Sequence, residues 1–161
     1  MKRLCLLLLL GVLWIEVDAR FRTNFPNEPP AAPQEIPSLR DDEVLETVFR
    51  HQMDHCYKSV PKKIYFLSYQ KNDLTDSFME RFPGYGSLVR KQSDRQEFFK
   101  QHAGHNGLLL AITRVESKKD TVVLVKGYCG FGGLDFRSYV YSVERKNRKW
   151  TVRSQRLLGF A

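Results

Sequence analysis

The stretch DFRSYVYSVERKNRKWTVRSQ, residues 135–155, decides the fold. From Asp135 to Glu144 the residues alternate, with Tyr139, Tyr141 and Val143 on one side of an extended chain. From Lys149 to Gln155 the chain returns, with Trp150 and Val152 inward. Lys146-Asn147 between the two runs is a turn, and Asn147 tolerates positive φ. Toward the N-terminus, Thr121 to Cys129 reads as another strand, Ser117-Lys118-Lys119-Asp120 as the turn before it, and Gly107 to Val115 as the strand before that. Gly127, Gly130, Gly132 and Gly133 supply a bulged turn, and no phosphate-loop Gly-Lys-Ser/Thr follows them. The expectation is an antiparallel four-strand meander.

The preceding residues read as helices with short strands between them. Leu45, Val48, Phe49, Gln52, Met53 and Cys56 follow helical spacing, predicting an amphipathic helix over residues 39–57. Ser38 caps it, and Asp41, Asp42 and Glu43 meet the positive end of its dipole. Ile64 to Tyr69 is a strand. Asp73 or Thr75 caps a short helix through Arg81, Ser87 to Lys91 is a brief strand, and Ser93 with Gln96 has capping-box spacing for a helix that Gly104 closes. The class is α+β, with N-terminal helices packed on a curved antiparallel meander.

The pattern Tyr139-x-Tyr141-x-Val143-x-Arg145-Lys146-x-x-Lys149-Trp150-x-Val152 resembles the closing hairpin of NTF2-like domains of the cystatin-like superfamily. The resemblance implies a half-open cone, formed by a first helix, further helices and a curved sheet, for the chain from Ser38 to the C-terminus. NTF2-like domains include isomerases, dehydratases and non-enzymatic binding modules. None of their catalytic sets carries over onto this chain, and the Gln-x-Val-x-Gly inhibitory loop of true cystatins is missing. The resemblance therefore implies a fold and no activity.

Residues 1–19 join a basic start (Lys2, Arg3), an apolar run from Leu4 to Ile15 and small residues ending at Ala19, the pattern of a secretory signal peptide. That run is too short for a bilayer, which takes about 20 residues, and no later segment is longer. Residues 20–37 contain Pro26, Pro29, Pro30, Pro33 and Pro37 and read as an extended tail. One α+β domain over residues 38–161 remains, and a secreted protein is expected. Cys56 and Cys129, two cysteines in an oxidising compartment, are expected to pair.

The chain carries a formal net charge of +8. In a secreted domain such charge suits anionic glycans or acidic proteins, nucleic acid is not expected, and general solubility is the other explanation. In a meander the turns near 117–120 and 145–149 share one end. That end gathers Lys118, Lys119, Arg145, Lys146, Arg148 and Lys149, which read either as a dock for an anionic partner or as solvated hairpin tips.

The histidines fall in two pairs, His51 with His55 and His102 with His105. If the disulfide pins the first helix at the end opposite the basic tips, four imidazoles converge there as a site for zinc or copper. Helix-surface histidines are the alternative, because Gln52 stands where a His-Glu-x-x-His motif needs Glu. Tyr65, Tyr69, Tyr139 and Tyr141 line a pocket or fill the core. The function expected is a non-catalytic binding module contacting its partner through the basic hairpin end. The alternative is a small-ligand carrier or enzyme with an NTF2-like pocket, with or without a histidine-bound metal.

Overall fold

In the computed structural model of the chain, residues 39–60, 63–102, 107–131 and 135–160 are described. The chain divides into two units, Met1–Ile36 and Pro37–Ala161, and all the described residues belong to the second. The expected signal peptide, Pro-rich tail and Ser38 cap, with Gly104, His105, Gly132 and Gly133, lie outside them.

Helix α1, Leu39–His55, has Asp41 and Asp42 in its first turn, where carboxylates oppose the helix dipole. Its buried residues Val44, Leu45, Val48, Phe49, Gln52 and Met53, with Cys56 just beyond its end, trace one helical stripe. The rest of the chain gives strand β1 (Ile64–Tyr69), a short α2 (Asp76–Met79), β2 (Val89–Lys91), α3 (Arg95–Gln101), and strands β3 (Gly107–Lys119), β4 (Val122–Gly130), β5 (Phe136–Lys146) and β6 (Lys149–Phe160). Thr75 caps α2, its hydroxyl accepting from Phe78 N at 3.3 Å.

The class is α+β, as the pattern predicts, but the sheet is six-stranded and mixed, in the order β2-β1-β3-β4-β5-β6. β1 pairs parallel with both β2 and β3, while β3 to β6 pair antiparallel in chain order. Parallel neighbours need a long crossover, and α2, β2 and α3 lie between β1 and β3 in the chain. Two details differ from expectation. Ser93 does not cap α3. Its backbone N–H donates to Asp73 Oδ1 at 3.0 Å, and Asp94 precedes the helix without a side-chain cap. The final turn is Asn147-Arg148, both at positive φ (52° and 62°), the two-residue geometry that matches strand twist.

Alternation along the strands separates two faces. On one, Leu67, Leu108, Leu110, Ile112, Val123, Val125, Tyr141, Val143 and Trp150 pack with the α1 stripe. On the other, Ile64, Phe66 and Leu109 pack with Phe98 of α3. On the first face Phe49, Leu110, Val125 and Tyr141 are wholly buried. Gly127 allows a close approach, because a Cβ there would meet Ala111 O at 2.5 Å and Gln52 Nε2 at 3.2 Å. Among the four tyrosines, Tyr141 is buried core and Tyr65, Tyr69 and Tyr139 are half-buried against the same cluster. Cys56 and Cys129 form a disulfide that fastens the end of α1 to β4 across 73 positions. Buried Lys63 donates to Cys56 O at 2.8 Å, placing a cation at the negative end of α1.

Gln52 Nε2 donates to the Tyr141 hydroxyl at 3.2 Å, both residues being wholly buried, while Gln52 Oε1 has no partner among the described residues. Removing one side of such a pair exposes the cost of the other. Tyr141→Phe should therefore destabilise the fold by about 1–3 kcal/mol in urea unfolding, and adding Gln52→Leu should recover part of that loss. Losing the disulfide in a Cys56→Ser/Cys129→Ser variant should cost about 4 kcal/mol in the same assay.

Candidate binding surface

The hairpins β3–β4 and β5–β6 turn at the same end of the sheet, and their tips are joined: Arg145 N donates to Thr121 O at 2.8 Å. Lys146 and Lys149 face each other across the last turn. Lys118, Lys119, Arg145, Lys146, Arg148 and Lys149 are all exposed. Lys118 lies 3.4 Å from Glu116, and the Arg145 guanidinium sits 5.8 Å from the Trp150 ring centroid. Lys146, Arg148 and Lys149 make no ion pair among the described residues. Arg148, Lys149 and Trp150 also line a groove of about 420 Å³ with Glu43, Glu46, Thr47 and Arg50 of α1, so the N-terminal half of that helix lies at the tip end.

Sequence reasoning passed over a second cluster. Glu116 on β3 gathers Arg114 at 2.8 Å, Lys118 at 3.4 Å and Lys126 of β4 at 3.6 Å. The hydrogen bond from Lys118, helped by Arg114 and Lys126, holds the Glu116 carboxyl below its ordinary pKa. The signal for it was present, since Arg114 and Glu116 are two residues apart and so share a face, but the partner register that brings Lys126 beside them is not written in either strand alone.

Of the four histidines, His51, His55 and His102 are among the described residues, and they stand on two sides of the sheet. His51 Nε2 lies 2.8 Å from Gln155 Oε1, its ring meets Tyr141 edge-on at 5.8 Å, and the His55 ring stacks on it at 4.0 Å. His102 stacks on Phe98 at 4.4 Å, and Phe98 belongs to the cluster on the opposite face. The sheet thus stands between His102 and the α1 pair, because Phe98 and Phe99 of α3 settle on Phe66 and not on the face that α1 covers. Among the described residues no group of three or more His, Cys, Asp or Glu could hold a metal ion. No helix is long and apolar enough to cross a membrane among those residues. Comparison with models of known protein families, with curated proteins and with solved structures finds no match.

Burial lowers the His51 pKa below the 6.5 of an exposed imidazole, the Gln155 bond opposing this and His55 reinforcing it. The unfolded chain then binds the His51 proton more readily than the folded one, so this stability is present above pH 6.5 and lost as pH falls through the lowered folded value. The Tm should drop between neutral pH and about pH 5, and His51→Gln should flatten that drop.

Proposed function

We propose that this chain is a secreted, non-catalytic binding domain that engages an anionic glycan or an acidic protein through its basic hairpin end. The observation that carries this reading is the hydrogen bond from Arg145 N to Thr121 O, which makes the two cationic turns one continuous surface. Within about a Debye length, a polyanion feels both turns together. Burial of the large side chains Tyr141, Phe49 and Gln52 beneath α1 supports a binding module over a carrier or enzyme, which would need an open cavity on that face. The disulfide fits an oxidising compartment.

The finer shape belongs to the same proposal. The curved, cone-like NTF2 arrangement is supported by α1 lying along one face and by register shifts at Ile112/Arg114, Ser117/Lys119, Ser138/Tyr139 and Ser142/Val143, which bend and twist strands. On heparin resin the protein should be retained and should elute as salt rises. Lys146→Glu/Lys149→Glu should elute at clearly lower salt, and wild-type elution that matches that of a neutral protein of the same size counts against the whole reading.

A further inference from the structure

On the face of β3–β6 turned away from α1, beyond the cluster that α3 covers, Arg114 and Lys126 are exposed, with side chains 65% and 45% accessible. Pairing sets these residues in a row. Arg114 lies opposite Lys126, Lys126 opposite Val140, and Val140 opposite exposed Arg156. Directly paired residues share a face, so three cations cross the sheet at right angles to the strands over about 14 Å. The next row toward the tips holds Glu116, Leu124, Ser142 and Ser154, and beyond it Arg153 reaches Glu144 at 3.2 Å.

We infer that this row is a second anion-binding site, and that its ligand is a linear sulfated polysaccharide. The inference rests on the anion-binding reading above and names its substrate class. Three features of the row select that ligand. Arginine at both ends offers the planar fork that meets sulfate with two parallel N–H bonds. In the next row toward the tips, the hydroxyls of Ser142 and Ser154 stand beside Val140 and Arg156, and a hydroxyl can donate to a sulfate oxygen or bond a sugar hydroxyl. Glu116 already assembles Arg114, Lys118 and Lys126 around an anionic group, so the side chains are gathered before any sulfate arrives, and Lys118 connects the row to the hairpin tips.

The test uses the whole secreted protein on heparin resin in a salt gradient. Arg114→Glu/Lys126→Glu/Arg156→Glu should elute earlier than a matched triple, Lys58→Glu/Lys71→Glu/Lys100→Glu, which changes the net charge equally elsewhere on the exposed surface. Its dependence of log affinity on log salt should be shallower by about two to three units. Glu116→Gln should elute later than wild type. Elution of the sheet triple with or after the matched triple overturns the site, and so does Glu116→Gln at or below wild-type salt. If charge reversal unfolds the chain, the same three residues changed to Gln give the same comparison. Soluble heparin should displace the bound protein where desulfated heparin and polyglutamate do not, and equal displacement by polyglutamate overturns the glycan assignment in favour of an acidic protein. Loss of retention only in the Lys146/Lys149 variant removes this site while leaving the hairpin reading intact. A wild type that is never retained removes both.

Discussion

Side-chain alternation beneath α1 is the constraint on which the rest of the structure depends. Val123, Val125, Tyr141, Val143 and Trp150 are buried on the face that this helix covers, and each large apolar side chain contributes about 1.5–3 kcal/mol when removed from water. Exposed ion pairs such as Arg153 with Glu144 contribute about 0–1 kcal/mol. The apolar face therefore dictates the register, and the charged face has to accept the positions left over. Those positions hold Arg114, Glu116, Lys126, Glu144 and Arg156, so the cationic surface is a by-product of how the core is packed.

Helix α1 links the two ends of the sheet. Its N-terminal half borders the basic turn through Glu43, Glu46 and Thr47, and its far end is tied to β4 by the disulfide. Within the contact, the Gln52–Tyr141 hydrogen bond and the close approach at Gly127 fix where the helix lies along the strands. A purely apolar stripe would slide more easily, because hydrophobic burial is not directional. Alongside α1, Arg50 bonds Glu46, donates to Arg81 O and lies 5.1 Å from the Phe82 ring centroid, so α2 and the chain after it are held by one polar and aromatic cluster.

Local pattern was readable in the sequence, and partnership was not. β1 was legible in full as Ile64–Tyr69 because a β-branched and aromatic run bounded by polar residues leaves little choice. Its parallel pairing with β3 was hidden, since alternation states which side chains share a face but not which strand lies alongside or in which direction. The capping-box spacing of Ser93 and Gln96 failed for a tertiary reason: Asp73, twenty positions earlier, takes the Ser93 N–H. The side of the sheet on which His102 stands was not legible, because a short helix with Phe98 and Phe99 settles on whichever face offers an apolar patch, and Phe66 offers it on the side away from His51 and His55. The basic tips could be read from composition, but the Arg114–Lys126–Arg156 row depends on registers across four strands, which no single segment records.

Both anion-binding proposals inherit that register, so it is the quantity to measure. A slip of one residue between β5 and β6 would turn every side chain of β6 to the other face, moving Arg156 under α1 and Gln155 away from His51. Cross-strand nuclear Overhauser contacts in the folded protein report the pairing directly. The account predicts contacts linking Val140 with Arg156 and Tyr141 with Gln155, together with Lys126 to Val140. Contacts linking Tyr141 with Arg156 or with Ser154 instead would contradict it.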